Sequence, residues 1–188
     1  MRSIAAASSR SLAVLLALGM SGGLLSACGP DAGAGSGPTY PLTSARPPSA
    51  DPAAVSTTRA ELVRVLGGQN LVLQDPQTAF RPAEGPALAS APRAIYQVIL
   101  PDDPTKGYLV VYALRDVPTA AAAGADQAAY LATGPGRIQM PIGTRHVLRQ
   151  VGATIVLYSW IPDGATDDRA PLIQDALETL GIGIDIPG

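Results

Sequence analysis

"GYLVVYALR", residues 107–115, is the stretch on which the fold turns. Its β-branched and aromatic residues read as a strand. "AIYQVIL" (94–100) precedes it across "PDDPTK", so the two read as a β-hairpin. A second pair, "RHVLRQ" (145–150) and "ATIVLYSWI" (153–161), turns back on itself at Val151–Gly152. After the first hairpin, Pro118 and Thr119 lead into "AAAAGADQAAYLAT", a helix by alanine propensity that Gly134 ends. After the second, Ile173, Ala176, Leu177 and Leu180 mark one face of a helix stopped by Gly181. The order hairpin, helix, hairpin, helix predicts an α+β, two-layer domain. Its antiparallel sheet has two hairpins plus edge strands, and helices cover one face.

Sliding the chain by 46 residues lays "LVVYAL" on "IVLYSW", Tyr112 on Tyr158 and Leu131 on Leu177, which raises a ββα duplication. Upstream, Thr58 and Glu61 match a capping box ahead of Leu62, Val65 and Leu66, with Gly67 as the stop. "NLVLQ" (70–74) reads as a short strand, and the Pro- and Ala-rich passage 75–92 as a long surface loop. Near the end, Ile182, Ile184 and Ile186 alternate as an edge strand.

Alternation puts Tyr108, Val110, Tyr112 and Leu114 on one face of the first hairpin, and Val156, Tyr158 and Trp160 on one face of the second. The slimmer opposite faces suit the Ala-rich helix. If the aromatic faces are open, Tyr112, Tyr158 and Trp160 form an apolar platform with hydrogen-bonding rims, bordered by His146 and Arg149, that binds a ligand or partner. If closed, they are core.

Catalytic signatures are sparse. His146 is the only histidine and has no nucleophile beside it in sequence, and no Gly-x-Ser-x-Gly elbow exists. The Asp102–Asp103 pair suits a turn, and Asp167–Asp168 suits the start of the last helix. "TGPGR" (133–137) follows a helix instead of opening one, which argues against a phosphate loop. Zinc-type His/Cys spacing is absent, so neither metal nor cofactor is expected.

The N-terminus carries the most specific signal. Arg2 and Arg10 precede the apolar run "SLAVLLALGM", and small residues lead into Cys28, the pattern of an export signal. A spanning helix needs about 20 continuous apolar residues, and Ser21, Gly22 and Gly23 interrupt this run. Leu25-Ser26-Ala27-Cys28 resembles the lipobox of bacterial lipoproteins. That resemblance implies that residues 1–27 are cleaved and that Cys28 receives a diacylglycerol thioether, often with a further acyl chain on its new amino group. Several acyl chains supply the multiple signals that stable anchoring requires. The positions Val110, Val111, Tyr112, Leu157 and Tyr158 also resemble small exported bacterial lipoproteins of unassigned role, a likeness that carries no active site.

The expected organisation is therefore a cleaved signal (1–27), a lipidated cysteine with a flexible Gly/Pro/Ala linker (28–55), and one domain (56–188). With no second cysteine there is no disulfide. Removing Arg2 and Arg10 takes Lys plus Arg from 13 to 11 against 15 acidic residues, a balance unsuited to nucleic acid. Lys106 is the only lysine, so no polybasic patch assists the lipid. The leading expectation is a non-catalytic ligand- or partner-binding lipoprotein on the extracytoplasmic face of a cell membrane. The alternatives are an envelope hydrolase using His146 and carboxylates, and a structural or regulatory subunit of an envelope complex.

Overall fold

The computed structural model describes residues 52–188. Cys28, the expected signal segment and most of the expected linker lie outside the described residues. The first element, helix α1 (Pro52–Gly67), starts ahead of the expected domain boundary at 56 and of the expected capping box. Val55 is buried in the core, and Thr58 is buried mid-helix, its hydroxyl 2.7 Å from that of Thr154. Thr58 therefore ties the helix to the sheet instead of capping it.

The remaining elements are β1 (Leu73–Gln74), α2 (Pro86–Ala89), β2 (Arg93–Val98), β3 (Tyr108–Ala113), α3 (Val117–Ala132), α4 (Gly134–Gln139), β4 (Arg145–Val151), β5 (Thr154–Trp160), α5 (Ala170–Glu178) and β6 (Ile182–Gly183). The strands form one six-stranded sheet in the order β1-β2-β3-β5-β4-β6, with every neighbouring pair antiparallel. The α+β class and the antiparallel sheet of two hairpins with edge strands match the reading of the sequence.

The helices, however, lie on both faces. Leu109, Val111, Val156, Tyr158 and Val147 pack against Leu62, Val65 and Leu66 of α1 and Ile173, Ala176 and Leu177 of α5. Val110, Tyr112, Ile155, Leu157 and Leu148 pack against Ala120, Ala123, Ala128 and Leu131 of α3, with Leu88 of α2. Both faces of the central strands are thus dry, and β3 is buried along its whole length. This accounts for the near-continuous apolar run that opened the reading.

The two ββα units are not rotated copies. Relative to β2-β3-α3, the unit β4-β5-α5 reverses the lateral step from outer to inner strand, the strand direction and the covered face. Three reversals change the hand, so no rotation superposes the two.

Passage 75–92 is not a plain surface loop. It carries α2, buries Leu88 completely and sends Glu84 to Arg93 and Tyr112. The Gln127 side chain of α3 holds it down, accepting from the Gly85 amide at 2.8 Å and donating to the Ala83 carbonyl at 2.9 Å. "TGPGR" does open a helix, the six-residue α4 behind Thr133. Helix α3 begins at Val117, and Asp116 caps it by accepting from the Thr119 amide at 2.8 Å. At the C-terminus β6 spans only two residues. Ile184 and Ile186 turn inward against the α3 side, whereas Ile182 stays exposed.

Candidate functional site

A cleft of about 370 Å³ lies at the end of the sheet where β3 begins and β5 finishes. Its lining includes Phe80, Leu100, Tyr108, Met140, Tyr158 and Trp160, with Asp103, Lys106, Thr144 and Ser159 among the polar groups.

Each wall is tied down by an identifiable contact. Phe80 stacks on Tyr108 with ring centroids 4.4 Å apart and planes 7° from parallel, and the Thr78 hydroxyl is hydrogen-bonded to that of Tyr108. The β2–β3 turn is gripped by Gln97, fully buried in β2, which donates to the carbonyls of Pro104 (2.9 Å) and Lys106 (2.8 Å). Its amide oxygen accepts from the Gln77 backbone, so one side chain fixes two walls. Gly107 has φ +80, and a Cβ there would collide with the Val98 carbonyl, so the turn requires glycine.

Asp167 joins the turn to the start of α5. Its carboxylate accepts from the Asp102 amide at 3.0 Å and from the Arg169 amide at 2.9 Å. Burial pushes its pKa up, but these two amides and the Arg169 guanidinium outweigh that and hold the carboxyl below its ordinary value. The turn role expected of Asp102 and the helix-start role expected of Asp167 therefore meet in one contact. Among the described residues, no group of three His, Cys, Asp or Glu side chains is placed to hold a metal ion.

The residues expected to form one binding platform are divided. The β3–β5 register sets Leu109 opposite Tyr158 and Tyr112 opposite Ile155, which puts the two tyrosines on opposite faces. Both are closed off, Tyr112 at 0 % and Tyr158 at 1 % exposure. Burial is the main cause raising the pKa of each hydroxyl, assisted at Tyr112 by its hydrogen bond to Glu84 and at Tyr158 by the charge of Asp103. Tyr158 donates to the Ala170 carbonyl at 3.1 Å. Trp160 is half-buried beside it on the α5 side, donating to Gln174 Oε1 at 2.9 Å, and both line the cleft. Arg149 is spent on the end of α5, donating to the carbonyls of Leu180 (2.6 Å) and Gly181 (3.2 Å).

His146 shares a face with Tyr112, and its register partner is Ser159. Its Nδ1 lies 2.7 Å from Ser159 Oγ, and burial lowers the imidazole pKa, so the ring is neutral at pH 7. A hydroxyl partner for His146 was not foreseen, because Ser159 stands thirteen residues away and only the strand pairing joins them. Phe80 and Tyr108, the stacked pair of the cleft, were also missed. Phe80 is the only phenylalanine of the chain, and its place inside a Pro-rich passage was the available signal.

Comparison with protein-family models, curated proteins and solved structures gives no match in any of the three.

Proposed function

We propose that this chain is a lipid-anchored, extracytoplasmic binding module of a bacterial cell envelope, and that its cleft holds a small, largely apolar ligand. The observation that carries the binding half is the cleft itself. Its volume falls within the ~300–1,000 Å³ of ligand pockets, its lining is rich in aromatic side chains, and a few polar groups are available to orient a guest. The anchor half rests on the lipobox pattern ending at Cys28. No helix of the described residues is long and apolar enough to cross a membrane.

Binding is tested with the apolar fluorophore N-phenyl-1-naphthylamine as probe. Ala165 lines the cleft, and Ala165→Trp fills it. The filled variant is expected to lose at least tenfold in probe affinity, whereas Val63→Thr, on the exposed side of α1, binds as the parent does. Equal affinity in Ala165→Trp and parent would remove the cleft from the account. The anchor is tested by intact mass, which should show acyl additions that vanish in Cys28→Ser.

A second reading, hydrolysis, is favoured by the His146–Ser159 contact. A neutral imidazole within hydrogen-bond reach of a hydroxyl on the cleft wall is the pairing that activates serine nucleophiles. On this reading a fluorophosphonate probe labels Ser159, and labelling falls at least tenfold in His146→Gln. A chain that stays unlabelled in its folded state leaves the pair as a cross-strand hydrogen bond.

A further inference from the structure

From Gln127 to Pro162 the chain contains no acidic residue, although acidic residues are in excess overall. Arg137, Arg145 and Arg149 fall in this span. Arg149 is engaged at the end of α5, whereas Arg137 and Arg145 are exposed. Between these two cations runs α4 and the turn after it, "RIQMPIGTR" (137–145), with Ile138 at 86 % and Ile142 at 102 % exposure. Among the described residues the other large exposed apolar side chains occur singly, Val63 on α1, Val72 just before β1, Val117 on α3 and Ile182 on β6.

The segment is shaped, not slack. Thr144 donates to the Pro141 carbonyl through both its hydroxyl (2.7 Å) and its amide (3.2 Å), and Gln139 reaches the Tyr130 hydroxyl. Met140, Pro141 and Thr144 form one wall of the cleft, and Trp160, the only tryptophan, stands opposite Arg145 in the β4–β5 register.

Two isoleucines held out into solvent between two unpaired arginines match the interface of an anionic bilayer. Apolar side chains enter at the headgroup boundary, and guanidinium groups meet lipid phosphates. We propose that the segment 137–145 is a membrane contact, with Ile138 and Ile142 entering the lipid interface and Arg137 and Arg145 meeting its phosphates. The cleft wall that carries Met140 is then set against the bilayer. The proposal rests on the envelope reading only for supplying the bilayer.

The full chain, purified in detergent from its membrane, is reconstituted into vesicles of phosphatidylglycerol and phosphatidylcholine with brominated acyl chains, and Trp160 fluorescence is read. The expected result is quenching in the parent that falls at least twofold in I138D/I142D, while co-flotation with vesicles, set by Cys28, is unchanged. R137E/R145E should fall in the same direction and lose the salt dependence of the parent signal. All four positions are exposed, and circular dichroism checks that each variant stays folded. Equal quenching in parent and I138D/I142D overturns the proposal, as does a parent that floats without quenching. If the parent does not float, the anchor reading fails on its own. The same vesicles added to the chain at low ionic strength must then still quench the parent more than I138D/I142D, and equal signals there overturn the contact.

Discussion

The two faces of the sheet are sealed by opposite means. On the α1/α5 face, large aliphatic side chains fill the space: Leu62, Leu66, Ile173 and Leu177 are wholly buried against Leu109, Val111 and Val156. On the α3 face the helix supplies little bulk, since eight of its sixteen residues are alanine, and it seals by coming close. Gly124 marks the approach, for a Cβ there would lie 3.0 Å from Ile155 Cδ1 and closer still to Ile184. The irregular segment beside α3 is held by polar groups: Glu84 pairs with Arg93 and accepts from Tyr112 at 2.8 Å, and Gln127 grips the backbone. One face is packed by volume, the other by proximity and hydrogen bonds. Buried polar groups permit an irregular covering only because they are satisfied, and no described buried side-chain nitrogen or oxygen lacks a partner.

The sharpest way to break this contrast is to remove volume from the first face. Leu177→Ala should cost about 2–5 kcal/mol in denaturant unfolding, as expected of a buried leucine leaving a cavity. On the second face the larger loss should come from a hydroxyl. Tyr112→Phe strips a hydrogen bond from a charged carboxylate and should cost about 1.5–3 kcal/mol. The matched Tyr158→Phe removes a bond to a neutral carbonyl and should cost only about 0.5–1.5 kcal/mol. If the two tyrosines prove equal, the polar account of the α3 face fails. Gly124→Val tests proximity directly, with overpacking expected to cost about 1–3 kcal/mol and to loosen the C-terminal segment around Ile184.

The smallest effect concerns the α3 cap. Hydrogen bonds from the Thr119 side chain and amide, with Arg115 alongside, lower the Asp116 pKa to about 2. The folded value lies below the ordinary ~3.9 of an unfolded aspartate. The cap's contribution is therefore complete above that value and is lost as pH falls toward 2. Thermal melts of Asp116→Asn should consequently show a weaker pH dependence than the parent between about pH 4 and 2, and parallel curves would discount the cap.

The elements of this fold were legible where the signal was local. The hairpins followed from "AIYQVIL", "GYLVVYALR" and "ATIVLYSWI", and α5 from Ile173, Ala176, Leu177 and Leu180, because strand alternation and helical spacing need only neighbours in the chain. What was not legible is the relation between strands far apart in sequence. Alternation gives each strand two faces but does not say which face of β3 aligns with which face of β5. The register that answers this parts Tyr112 from Tyr158 and splits the expected platform. The separate β4–β5 register, fixed by the hairpin turn between those strands, brings His146 to Ser159. Thr58 misled in a related way, since its spacing to Glu61 fits a capping box, yet Val55 one turn earlier already packs in the core and carries the helix upstream.

The buried ties of Gln97, Gln127 and Gln150 have a consequence for how the domain meets changes of acidity. Gln97 clasps the β2–β3 turn, Gln127 clasps residues 83–85, and Gln150 donates to the carbonyls of Val117 and Gly152. A carboxamide has no proton to gain or lose over the range in which carboxylates and imidazoles change charge. These three clasps therefore have no proton of their own to gain or lose as acidity changes, unlike the ionisable joints at Asp116, Asp167 and His146.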